Sequence, residues 1–457
     1  MNRLPPEVLT SCATFVSDTD PRPIVSLTHV CRYWRSSINS NPRSWASIST
    51  GWKRLAPLCL ERAGAVPLAI DIKVLDLKGD LSFIQVLLPH VERVAQLSLA
   101  GYSSIEVVAD DLPELFAFPM PNLTFLELQQ VAEPDELFSL SADPVPPVFQ
   151  NISSLRSLRL TRTPLYHTLF GIPSLVELEL AGYTNPFQFG TFITFLASNR
   201  NLETVVLDIK FVEGSVGMVP MRMTSLVHLR RLSMTCAESI DAKGLLSCIY
   251  LPHGIRLEVS CSRWTSLEWC LPSPPTSIRE VLTPITIIKF QAAPMEVHAI
   301  GTNGLFSFRC PRPRLFCGPE LYLLPTSSVR EFHANVVPWT LTPMFMFSML
   351  TRLPALETLV LSNVIRWATG VFDPLAEQPM ACPSLKTVAF HNCVLTPEAM
   401  KEFEGVVARR KGSAAAWLYR VVFVSTGVLP DYTLVQQLRR HVPYVDVRVD
   451  DKLPDLS

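Results

Sequence analysis

The chain has 457 residues, 48% hydrophobic and 18% charged, which excludes a disordered protein and predicts substantial cores. Its 40 basic and 41 acidic side chains leave a net charge of -1. That excludes the basic excess of a nucleic-acid footprint, and the length suits two to four domains or one elongated repeat array.

The opening "MNRLPPEVLT" has no apolar run after its basic residue, so it does not read as a signal peptide. No uninterrupted apolar segment reaches membrane-spanning length. Eleven cysteines are scattered. Cys310 and Cys317 have no Cys or His partners at zinc-ligand spacing, so the thiols are expected to be reduced small hydrophobes. The glycosylation-type triplets at Asn122 and Asn151 then read as chance matches, and cytosol or nucleus is the expected location.

The spacing of Val8, Cys12 and Phe15, with Leu9 beside them, predicts a first helix. Pro6 sits in its first turn, where a missing N–H does no harm, and Glu7 near the positive end of its dipole. "SDTDPRP" ends it. From Ile24 the pattern is helical again, with Leu27, Cys31 and Trp34 on one stripe and Val30, Trp34 and Ile38 flanking it. Pro42 disfavours helix at Asn41, and Trp45 and Ile48 are expected to fold back over this core. A module of about 45 residues is marginal alone. It is either a subdomain packed on the rest of the chain or a docking module with a surplus apolar face.

"LPPEVL" at 4–9, "VSLTHVCRYWRSSINSNPRSWASI" at 25–48 and "RAGAVPLAIDI" at 62–72 together resemble the F-box-like domain abundant in mushroom-forming (basidiomycete) fungi. The clear match covers about the first 50 residues. The resemblance implies binding to a Skp1-like linker protein and, through it, to a cullin-RING ubiquitin ligase. Carried over residue by residue, it implies that Leu4, Pro5, Leu9, Leu27 and Val30 face Skp1. Cys31, Trp34 and Trp45 would be internal packing.

After Pro67 a second pattern recurs. "VAQLSLAG" at 94–101, "LTFLELQQ" at 123–130, "LRSLRLTR" at 155–162 and "LVELELAG" at 175–182 fit L-x-x-L-x-L. So do segments starting at 202, 229, 329, 356 and 385. The L-x-L part has period two, which predicts a short strand with one buried face. Such a unit cannot bury that face alone and must stack on its neighbours. Many units follow a proline or asparagine turn, as in "PMPNL", "GIPSL" and "ACPSL". Between 236 and 329 the pattern fades. "IRLEVSC" at 255–261 and "IREVLTP" at 278–284 read as diverged strands, and 295–310 as one further unit. A continuous solenoid is expected, with a break near 240–320 as the alternative. "SADPVPPVF" at 141–149 reads as an exposed insertion. Near the end, "TPEAMKEFEGVVARRKG" predicts a helix capped by Thr396. "LYRVVFVS" and "VDVRVD" predict strands, with a helix over "DYTLVQQLRRHV" between them.

The expected fold class is therefore α/β: a three-helix F-box-like domain over 1–50 and a linker with an N-terminal cap over 51–90. Irregular leucine-rich repeats follow over 91–395, as a curved parallel sheet with helical or irregular returns, and terminal cap units over 396–457. No glycine-rich phosphate loop, G-x-S-x-G or H-E-x-x-H is present. "RRKGSAAAW" at 409–417 lacks the upstream glycines of a nucleotide loop. His391 and Cys393 read as loop decoration, and "ADDLPELF" at 109–116 as a helix start. Trp264, Trp269, Trp339 and Trp367 read as core filling or as anchors for a partner. No catalytic residue, cofactor, metal, nucleic acid or membrane partner is expected. The expected function is that of a substrate-recognition adaptor, with Skp1 on the first 50 residues and an unknown protein client on the repeats. The alternative is a scaffold whose F-box fold does not recruit Skp1, in keeping with the few aliphatic residues of "SDTDPRP".

Overall fold

The computed structural model describes residues 4–17, 22–77, 82–102, 115, 118–131, 152–163, 172–183, 188–211, 224–236, 239–261, 267–272, 282–292, 294–302, 304–310, 323–336, 342–377, 382–411, 417–425 and 431–449. The chain divides into two compact units, Met1–Val219 and Pro220–Ser457.

The first unit opens with helices α1 (Pro6–Ser17), α2 (Arg22–Thr28) and α3 (Arg32–Asn39) and a 3-10 turn over Pro42–Trp45. The single helix expected from Ile24 onward is two. The chain turns at His29–Val30, whose N–H groups donate to Ser26 O and Leu27 O. Cys31 is extended and becomes the N-cap of α3, its Sγ accepting from Trp34 N at 3.5 Å. Arg35 Nε closes the end of α2 by donating to Thr28 O at 2.9 Å. The break turns Cys31 and Trp34 partly out of the predicted stripe, while Ile38, Trp45 and Ile48 stay buried.

Strand β1 (Ser47–Ser49) follows the helices directly and pairs in parallel with β2 (Leu68–Lys73). Helix α4 (Ala56–Ala63) connects the two. Residues 51–90 therefore contribute β2 to the sheet. Beyond β2 run β3 (Val94–Tyr102), β4 (Phe125–Gln130), β5 (Ser157–Thr161), β6 (Glu177–Ala181) and β7 (Thr204–Ile209), each parallel to the one before. The alternating pattern makes two apolar ladders in register. Leu97, Leu126, Leu158, Leu178 and Val205 form one, and Leu99, Leu128, Leu160, Leu180 and Leu207 the other, all buried. Burial of each such side chain contributes about 1.5–3 kcal/mol. The first leucine of a unit is fixed by a turn: the N–H groups of Leu123, Leu155 and Leu175 donate to Met120 O, Ile152 O and Ile172 O. This is the structural counterpart of the recurring proline turns.

In the second unit, β8 (Thr224–Ser225) and β10 (Ile249–Tyr250) form a small pair. The main strands are β9 (Arg231–Cys236), β11 (Arg256–Cys261), β12 (Ile285–Gln291), β13 (Met295–Gly301), β14 (Gly304–Cys310), β15 (Glu331–Asn335), β16 (Thr358–Ser362), β17 (Thr387–His391), β18 (Arg420–Ser425) and β19 (Tyr444–Val449). Their spatial order is β9-β11-β14-β13-β12-β15-β16-β17-β18-β19. Only β13 runs against the rest. Residues 295–310, expected to be one repeat unit, are an antiparallel hairpin. The strand expected within 278–284 lies at 285–291 instead, and 278–281 fall outside the described residues. Close backbone packing requires the glycines that bound the hairpin turn. A Cβ on Gly301 would stand 2.5 Å from Pro284 O, and one on Gly304 2.7 Å from Ile255 O.

Helices Pro343–Leu350, Asp373–Glu377, Pro397–Lys411 and Tyr432–Leu438 pack each against the next. Thr396 Oγ1 accepts from Ala399 N, as a cap does. Arg410 of the third helix is buried, and its guanidinium donates to Leu375 O at 3.1 Å and Cys382 O at 2.6 Å. No described helix is long and apolar enough to cross a membrane. The stretches 109–114 and 141–149, and with them the expected helix start and insertion, fall outside the described residues.

Candidate functional site

The N-terminal module has a packed apolar interior and four exposed large apolar side chains. Leu9 and Ala13, four apart, are buried where α1 meets α2, α3 and the 3-10 turn, together with Ile24 and Ile38. The stripe expected at Val8 and Cys12 is rotated by one residue, and both are exposed. Leu9, expected on the partner face, is only 2% exposed and packs inside. The small Ala13 at the next turn lets the neighbouring elements come close.

Trp45 is the true centre, 2% exposed. Its Nε1 donates to Ile38 O at 3.2 Å, and the Arg62 guanidinium stacks 4.4 Å from the ring. Arg62 also donates to Asn39 Oδ1 at 2.9 Å. Trp34 and Cys31, expected in the core, are half-buried, because Cys31 serves as the cap that ends the α2–α3 turn. The Trp34 indole N–H is buried with no hydrogen-bond partner.

Four large apolar side chains stand on the outside: Leu4 (43% exposed), Val8 (44%), Val30 (54%) and Tyr33. Tyr33 Oη donates to Leu4 O at 2.8 Å, so the start of α3 is pinned beside the start of α1. Pro5 is exposed next to them, and Leu27 is half-buried. Val8 and Tyr33 were missed in the sequence because each adjoins a stronger core candidate, Leu9 and Trp34. The "RYW" pair of adjacent aromatics was the available signal, since neighbours on a helix cannot share one face.

The second candidate surface is the side of each sheet formed by the alternate, outward positions. In the first unit it carries Asp71, Glu127, Glu177, Glu179 and Asp208 against Lys73 and Arg159. Arg159 bridges Glu127 and Glu179 at 3.5 and 2.7 Å. In the second unit bases surround the acids. Glu258 receives Arg231 and Arg256 at 2.9 and 2.6 Å, and Asp446 receives Arg420 and Arg448 at 2.5 and 3.6 Å. Burial pushes the Glu258 carboxyl up, but the two arginines outweigh it and hold the group below the usual glutamate range. The Arg420 hydrogen bond likewise lowers Asp446.

Among the described residues the sequence-predicted candidates bring no nucleophile or metal set to these surfaces. The Cys393 thiol donates to Leu361 O and His391 O and is pushed up to about 12 by burial, so beside His391 it is packing. No group of metal-ligating residues exists among the described residues. The described cysteines are free thiols. Trp367 packs on Phe372 and Phe390 and donates to Val394 O. Trp264, Trp339, the Trp269 side chain and most of the 409–417 segment fall outside the described residues. No protein-family model matches the chain, and no curated protein matches it.

Proposed function

We propose that the protein is a substrate-recognition adaptor of a Skp1-cullin-F-box ubiquitin ligase. In this reading the N-terminal helices bind a Skp1-like linker protein, and the two sheet units, as an irregular leucine-rich-repeat array, bind a protein client. The ubiquitin chemistry belongs to the other subunits, in the cytosol or nucleus. The observation that carries the reading is the apolar cluster of Leu4, Val8, Val30 and Tyr33 on a module too small to be stable on its own. Those side chains gain most by being covered. The Skp1 contact is thus assigned to Leu4, Pro5, Val8, Val30 and Tyr33, with Leu27 at its margin and Leu9 supporting from beneath.

The test is retention of the full-length chain on purified Skp1 and cullin. Val8→Asp with Val30→Asp should weaken capture at least about a hundredfold, as loss of central apolar anchors does, while the folded signal is unchanged. Equal capture of the double variant and the parent would refute the interface. A scaffold that does not recruit Skp1 is the second reading. It is favoured by the joining of the module to the sheet, with β1 pairing to β2 directly after Trp45. Under it, a folded parent chain is not captured at all.

A further inference from the structure

The outward side of the second unit holds a cavity of about 20 Å³ between β12, β13, β15 and β16, lined among others by Lys289, Glu296, His298, His333, Asn335 and Ser362. Strand register puts Lys289 between His298 and His333, and Asn335 beside Ser362. A cavity needs about 10–15 Å³ in this measure to hold one water. The space therefore suits a group of one or two oxygen atoms.

Three polar groups in the walls are free to meet a ligand. Ser362 is 3% exposed, and its hydroxyl makes no hydrogen bond among the described residues. Asn335 Oδ1 is buried without a partner, and the amide can present its NH2 there by a half-turn. Lys289 is half-buried and makes no ion pair among the described residues. The carboxylates nearby are already engaged. Glu296 takes Arg309 at 3.0 Å and His298 at 3.6 Å, and Glu331 takes His333 at 2.5 Å. An ammonium, a hydroxyl and an amide thus line one small space, and a buried polar group left unpaired there is unfavourable.

We propose that this cavity receives the carboxylate of an aspartate or glutamate side chain, presented by an acidic peptide segment lying along the outward side of the second unit. Its two oxygens accept from Lys289 Nζ, Ser362 Oγ and the Asn335 amide. The flanking clusters, in which two arginines surround one Glu258 and two surround one Asp446, favour a segment with more than one acid. That the segment belongs to a ligase client rests on the adaptor reading, whereas carboxylate binding does not.

The experiment is fluorescence anisotropy of a labelled oligoglutamate peptide titrated with the full-length chain at low ionic strength, with an oligolysine of equal length and free acetate as further arms. Oligoglutamate should bind in preference to oligolysine, and added salt should weaken it. Lys289→Gln should lower affinity about tenfold, and Ser362→Ala should lower it severalfold, as loss of charge-assisted hydrogen bonds does. Lys289→Arg should retain most of it. Val8→Asp with Val30→Asp should leave it unchanged, which separates this outcome from failure of Skp1 capture. Equal binding of both peptides, or unaltered affinity in both Lys289→Gln and Ser362→Ala, overturns the proposal. Acetate binding as tightly as the peptide overturns it in favour of a small-carboxylate site. If circular dichroism finds Lys289→Gln unfolded, Ser362→Ala and Lys289→Arg decide.

Discussion

The two units are built on the same inward pattern and present opposite outward ones. Both stack L-x-L strands into buried ladders: Leu99 to Leu207 in the first, and Ala334, Leu361, Phe390 and Phe423 in the second. Yet the first is wholly parallel over β1–β7 with acids outward, and the second carries a reversed strand and arginines around its acids. Inward positions are held by packing, where one methylene matters. Outward positions are less constrained, apart from the buried cluster of Val360, Ala389 and Val422, so charge can differ between units without loss of the sheet.

The sharpest way to break the comparison is to remove the centre that only the first unit has. Trp45→Ala should lower its stability by about 3–5 kcal/mol. Hydrogen exchange in the full chain should then rise over 24–73 and stay unchanged over 331–425; an equal rise in both would mean the units unfold together. Next comes Arg410→Ala in the second unit. It strands the carbonyls of Leu375 and Cys382 and leaves a void, with an expected loss of about 3 kcal/mol read from denaturant unfolding. Gly301→Ala tests the reversed strand. Its new Cβ meets the Pro284 backbone, so about 1–3 kcal/mol should be lost, with exchange rising in 285–310 before the neighbouring strands.

The outward differences should give smaller effects. Glu258 is held below the ordinary glutamate range, so its share of stability is complete above the unfolded glutamate pKa. That share is lost as pH falls through the lower folded value. Glu258→Gln should flatten this part of the acid unfolding curve, while Glu179→Gln leaves it in place. Smallest is Arg159→Ala. Its ion pairs are exposed to solvent and salt, and melting should reveal a change of about 0–1 kcal/mol.

The proposed sites were partly legible in the sequence. Leu4, Pro5 and Val30 could be named from the motif, whereas Leu9 and Val8 exchange roles because a helical stripe is wide enough to admit a rotation of one residue. Trp34 could not be separated from Trp45 without knowing that the chain breaks at His29–Cys31. The carboxylate cavity had no local signature. Lys289, His298, His333 and Ser362 come from four strands spread over 74 positions, and only their register assembles them.

By itself the sequence determined the strands of the leucine-regular units, how they alternate and which turns precede them, since period two and a proline or asparagine turn are properties of a few consecutive residues. It also determined the last helix–strand–helix–strand run, with Thr396 as a cap. Tertiary structure alone decided which strands pair. Residues 278–284 read as a diverged strand and 295–310 as one further unit, although Asn303-Gly304 is a hairpin signal. The placement of β14 against β11 and β12 against β15 depends on backbone hydrogen bonds between distant segments. A strand's side-chain pattern says which face is buried, but its N–H and C=O groups are the same in every strand, so the choice of neighbour is made only when the whole sheet assembles.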